Sequence, residues 1–132
     1  MTWPARHVSV GIRRAPRDVY AFAADPRNLP RWASGLASGV RPEGDAWIAD
    51  SPMGAVAVRF GAANDLGVLD HDVTLPDGTV VHNPLRVLAS GEGSEVVFTL
   101  YRRDGMSAEE LERDARIVAQ DLAALRRLLE ER

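Results

Sequence analysis

Residues 107–130 read SAEELERDARIVAQDLAALRRLLE, and this stretch decides the fold. Ser107 and Glu110 have the spacing of a capping box, in which the two side chains satisfy free amides at a helix start reciprocally. Leu111, Ala115, Val118, Leu122, Leu125 and Leu129 follow at intervals of three and four. That periodicity predicts one apolar stripe on a helix of about six turns. Glu109 and Arg113, Glu112 and Arg116, and Arg127 and Glu131 stand four apart on the polar side, where they could support one another. A single long amphipathic helix needs a broad apolar surface to lie on.

The segment before it supplies one. From Gly35 to Arg103 the chain runs in short alternating stretches between turn residues, the pattern of consecutive antiparallel strands. The expected strands are Gly39–Pro42, Ala46–Asp50, Ala55–Gly61, Gly67–Leu75, Thr79–Leu88 and Glu95–Tyr101. A first strand, His7–Ile12, precedes them, with Val8, Val10 and Ile12 on one face. Between it and the rest, Pro16 suits a first helical turn and Asp25-Pro26 suits the start of a second short helix ending near Gly35. The order is strand, two short helices, six strands, long helix. This predicts one α+β domain over residues 1–132, with its helices on one face of the sheet.

Composition removes several chemistries. The 16 basic residues are all Arg, so lysine Schiff-base and phosphate-loop lysine chemistry are excluded. There is no Cys, so thiolate catalysis, disulfides and cysteine-bound metals are excluded too. A net charge of −3 with scattered Arg argues against a nucleic-acid partner. No apolar run is long enough for a membrane span. Met1–Val10 has no apolar export core, which points to the cytoplasm. No cofactor fingerprint is visible, so no cofactor is expected.

Four stretches resemble the START-related SRPBCC superfamily, near its polyketide cyclase/dehydrase-like branch. They are Ile12–Phe22, Asp25–Trp32, Gly67–Val73 and Asp114–Leu129. The resemblance covers about Arg6 to Glu130. It implies the helix-grip fold, a seven-stranded antiparallel sheet wrapped around a long C-terminal helix. Members bind lipids, sterols, hormones or polyketides, or cyclise aromatic rings, so the fold alone does not settle function.

Such a fold encloses an apolar space, and strand parity says which polar groups face it. In Gly67–Leu75, Leu69, His71, Val73 and Leu75 share one parity, while Asp70, Asp72 and Thr74 have the other. His71 is therefore expected inward and both Asp outward, which separates the apparent Asp-His-Asp cluster and argues against a metal site. Pro76-Asp77-Gly78 suits a three-residue loop. That loop would pair His71 with Asn83, Val73 with Val81 and Leu69 with Leu85. A two-residue Asp77-Gly78 turn would instead set His71 against Pro84 and Leu69 against Arg86. Three apolar matches favour the first register.

Three functions follow as expectations. The leading one is binding of a small hydrophobic molecule, walled by Phe22, Trp32, Phe60, Leu69, Phe98, Leu111, Val118 and Leu122, with His71 and Asn83 as polar anchors. The second is a cyclase/dehydrase-type enzyme in which His71 moves a proton and Asn83 orients it or steadies an enolate oxygen. The third is a non-catalytic homodimeric module using an outer face or a strand edge. A lone inward histidine is also what a satisfied core residue looks like.

Overall fold

A computed structural model describes residues 1–33 and 37–131. The chain forms β1 (Ala5–Ile12), α1 (Pro16–Ala23), a 3-10 turn (Pro26–Asn28) and α2 (Leu29–Trp32). Then come β2 (Gly39–Glu43), β3 (Ala46–Ser51), β4 (Gly54–Phe60), β5 (His71–Thr74), β6 (Val80–Asn83), β7 (Leu85–Ser90), β8 (Gly93–Tyr101) and α3 (Ala108–Glu130). The expected end of the second helix at Gly35 lies outside the described residues. Asp25 does start that region, its carboxylate accepting from the Arg27 amide. The capping box also forms: Ser107 Oγ accepts from the Glu110 amide at 3.0 Å, and Glu110 Oε1 from the Ser107 amide at 3.0 Å.

The architecture is α+β, but the expected single seven-stranded sheet is corrected. Among the described residues there are eight strands in two sheets, ordered β1-β8-β7 and β2-β3-β4-β5-β6. The cause is Pro84. The strand read as Thr79–Leu88 contains it, and proline has no amide to give a ladder. β6 therefore stops at Asn83 and β7 starts at Leu85. The strand read as Gly67–Leu75 follows the same break: only His71–Thr74 is strand, and Val68 makes an isolated bridge to Arg86. Segment 67–69 thus runs beside β7 while β5 runs beside β6, so the two sheets meet at this point.

Asp70 closes the gap left at the break. Its Oδ1 accepts from the Leu85 amide at 2.9 Å, a donor that would otherwise be buried without a partner. Arg86 grips the same carboxylate with two bonds, 2.8 Å to Oδ1 and 2.7 Å to Oδ2. Next to it the backbones approach closely. Gly67, at φ +75°, brings its carbonyl onto the Val87 amide, and a Cβ there would stand 2.2 Å from the Val87 carbonyl oxygen.

α3 lies along β1 and runs in the same direction. Arg6, near the start of β1, pairs with Glu112 at 3.1 Å. Beyond its end, the Arg13 amide donates to Glu130 at 2.9 Å, and Arg14 donates to the Leu129 carbonyl at 2.7 Å. Glu112 thus reaches across to Arg6, a partner that helix spacing alone would not suggest. The inner side of α3 buries Leu122, Leu125 and Leu129 in one cluster with Ile12, Val19, Phe22, Leu29 and Trp32, and with Val56, Val58, Leu85, Val87 and Val96 from the strands. No helix among the described residues is long and apolar enough to cross a membrane.

The Asp70 junction yields a contrast. Asp70→Ala should lower the unfolding free energy by about 2 kcal/mol, because it orphans the buried Leu85 amide. Arg86→Ala should cost less than about 1 kcal/mol, because that side chain is half exposed and water screens the pair. Urea unfolding of both variants checks the order.

Candidate functional site

The region around His71 is built by parity and by one turn. Burial alternates along the segment: Leu69, His71 and Val73 are buried, while Asp70, Asp72 and Thr74 are half-buried. The Pro76-Asp77-Gly78 loop closes as a three-residue connection. Leu75 and Thr79 bond across it at 2.8 Å, Asp77 Oδ1 accepts from the Thr79 amide at 2.9 Å, and Gly78 takes φ +90°. The resulting register sets His71 opposite Asn83, Asp72 opposite His82 and Val73 opposite Val81. On the outer face Asp72 meets His82 at 2.7 Å. Both aspartates are therefore turned from His71, and no three His, Asp or Glu among the described residues group as metal ligands.

His71 and Asn83 are neighbours, yet the bonds found for their side chains go to backbone rather than to each other. His71 Nδ1 meets the Leu69 carbonyl at 3.0 Å, and Asn83 Nδ2 donates to the Val81 carbonyl at 3.2 Å. Each side chain reaches two residues back along the chain. A carbonyl oxygen can only accept, so His71 Nδ1 carries the hydrogen. Burial pushes the His71 pKa below the usual histidine value, with the Leu69 bond and Asp70 opposing more weakly. The ring is thus neutral at neutral pH, and Nε2 holds the lone pair. Phe60 packs at 5.0 Å between ring centroids, and Phe98 stands edge-on at 6.0 Å. A neutral hydrogen-bond acceptor sits in an aromatic wall.

The expected wall residues divide. Phe22, Trp32, Leu69 and Leu122 are buried within the main apolar cluster, and Phe60, Phe98 and Val118 pack half-buried against it. Leu111 is buried under the start of α3, apart from the cluster the described residues form. Apart from Leu111, these side chains belong to or pack against one apolar cluster. A groove of about 670 Å³ opens elsewhere, between the β7–β8 turn and the end of α3, lined by Arg13, Glu92, Glu95, Arg126 and Glu130 among others. None of the expected site residues lines it.

Two further residues belong in this description, Asp114, which sequence reasoning missed, and Asn64, which reads from the sequence as a turn residue. Asp114 is half-buried on the flank of the α3 stripe, and burial pushes its carboxyl pKa up. Its position, three after Leu111 and four before Val118, was the available signal. Asn64 organises the loop before β5: its Oδ1 accepts from the Leu66 and Val68 amides, its Nδ2 donates to the Ala62 and Val68 carbonyls, and its own amide donates to the Tyr20 hydroxyl. It fixes where Leu69 and His71 enter the sheet.

By architecture this is a helix-grip protein. XoxI from Bacillus cereus superposes with a TM-score of 0.73 at 16% identity, over 95% of this chain and 94% of that one. DynU16, a protein in the dynemicin biosynthetic locus, gives 0.74 at 16% identity, over 96% of this chain and 47% of that one. Ara h 8.0201 gives 0.67 at 13% identity, over 98% and 99%. Identities this low establish the fold alone. No protein-family model matches the sequence, and no curated protein matches it.

The neutral His71 has a pH signature. Its folded pKa lies below its unfolded value of about 6.5, so below that pH the unfolded chain binds the proton that the folded chain refuses. Stability should therefore rise with pH up to about 6.5 and level off above it. Asp70, whose pKa the Arg86 bonds lower, acts only in a more acidic window, where its carboxylate protonates. Urea midpoints should fall between about pH 7 and pH 5 in the native chain, and fall less in His71→Gln.

Proposed function

We propose that this chain binds a small, mostly apolar molecule between the sheet and α3, and that His71 Nε2 accepts a hydrogen bond from a hydroxyl of that molecule. One observation carries the reading. His71 is 8% exposed, its Nδ1–H is committed to the Leu69 carbonyl, and its uncommitted face of chemistry is an acceptor set among Phe60 and Phe98. Apolar walls with a few placed polar atoms are the ordinary construction of a small-molecule site. The walls are Phe22, Trp32, Leu69, Val118 and Leu122 with the two phenylalanines. Asn83 is the second polar group, its carbonyl oxygen a further acceptor beside His71. The helix-grip neighbours, one of them from a biosynthetic locus, agree with ligand binding as the general use of this fold.

A second reading draws on the His71 tautomer. A neutral imidazole with a free lone pair is already in the form of a general base. In that reading His71 Nε2 removes a proton from carbon next to a ketone, as in a cyclase or dehydrase. Retained binding with lost turnover in His71→Gln would favour it.

Naphthol and methylnaphthalene separate the leading reading from a filled core. Titrations followed by NMR should show naphthol bound about fivefold tighter, the worth of roughly one hydrogen bond. His71→Phe should remove that preference and leave methylnaphthalene binding in place. If neither probe perturbs the resonances of Phe60, His71 or Phe98, the chain does not hold small apolar molecules there.

A further inference from the structure

Among the described residues, the buried side-chain donors of the core are met, with one exception. The His71 and Asn83 bonds to backbone have been described, and the buried Ser94 hydroxyl donates to the Arg14 carbonyl at 2.7 Å. Trp3, near the surface, donates its indole N–H to Asp104 at 3.2 Å. Trp32 differs. It is 3% exposed, and its Nε1 is the buried side-chain nitrogen or oxygen among the described residues that meets no hydrogen-bond partner. A buried donor left unmet is costly, and native chains rarely keep one without a use. The phenylalanines in or against the same cluster, Phe22, Phe60 and Phe98, carry no polar side-chain atom at all. A phenylalanine at position 32 would fill much of the same volume without that cost.

Trp32 belongs to the same continuous apolar cluster as Leu69 and Val73, the residues flanking His71 on its strand, and Phe60 and Phe98 pack against that cluster. The cluster therefore carries two polar points of opposite sense. His71 Nε2 accepts, and Trp32 Nε1–H donates. Resting on the binding function proposed above, we infer that the ligand carries an acceptor oxygen, a ketone or ether, which takes the hydrogen bond of Trp32, in addition to the hydroxyl that faces His71. The ligand class is an oxygenated, otherwise apolar molecule rather than a plain hydrocarbon or a fatty chain. Nε1 is closed off from bulk solvent, so the bound molecule itself brings the partner. Binding then relieves a cost that the empty protein bears, which makes Trp32 a specificity-determining residue.

The test uses acetonaphthone and its isosteric alkene, isopropenylnaphthalene, in which a methylene replaces the ketone oxygen. Both are titrated into the native chain and into Trp32→Phe, with affinities read by NMR. The native chain should bind the ketone about tenfold tighter than the alkene. Trp32→Phe should bind the ketone and the alkene with equal affinity. In the native chain the Trp32 indole N–H cross-peak should move downfield with the ketone and not with the alkene, a readout that does not depend on the variant folding. Equal affinity for the two probes in the native chain, or a preference that survives Trp32→Phe, overturns the inference and leaves the binding function standing. Binding of neither probe overturns both.

Discussion

Everything in this molecule depends on the contact between α3 and β1. The helix has 23 residues and the strand has eight. At roughly 1.5 Å per helical residue and 3.4 Å per strand residue, the helix covers the full strand with a turn or two to spare. Both ends are tied, at Arg6–Glu112 and at Arg13 and Arg14 with Glu130 and Leu129. With the helix pinned over β1, α2 packs against α3, and the apolar cluster joins their buried side chains to those of the strands. His71 and Trp32 are buried because of that closure.

Much of this was legible because short-range rules govern it. The capping box needs only Ser107 and Glu110 three apart. The parity of Leu69, His71 and Val73 turns His71 inward whatever else the chain does. The Pro76-Asp77-Gly78 loop fixes the register opposite Asn83 by its own geometry. Pro84 was the available warning against one continuous strand, and counting apolar matches across it hid the break. The matches persist, since the Leu69 amide still bonds the Leu85 carbonyl at 2.8 Å, but the ladder changes sheets between them.

The remainder was not legible because it depends on which groups meet after folding. Glu112 pairs with Arg6, 106 residues away, rather than with a helix neighbour. Asp70 was read as an outward charge, and it is outward, yet its carboxylate also replaces a missing ladder partner for Leu85. The unmet Trp32 donor is invisible in sequence, because satisfaction is a property of surroundings. The same holds for His71: composition names a histidine, while its tautomer follows from the Leu69 carbonyl.

The β1–α3 contact also sets an order of events. β1 is the first of these elements to be synthesised, and its partners β8 and α3 are the last. None of its ladder bonds or its contacts with α3 can form until β8 and α3 have been made. Contacts of such long sequence separation close slowly, because the loop entropy is paid before they form. A growing chain therefore carries β1 with its apolar face of Val8, Val10 and Ile12 uncovered for most of its synthesis. That face is modest, two of its three residues staying half-buried even in the finished fold. The strand that waits longest for its partner is thus one of the less sticky ones in the sheet.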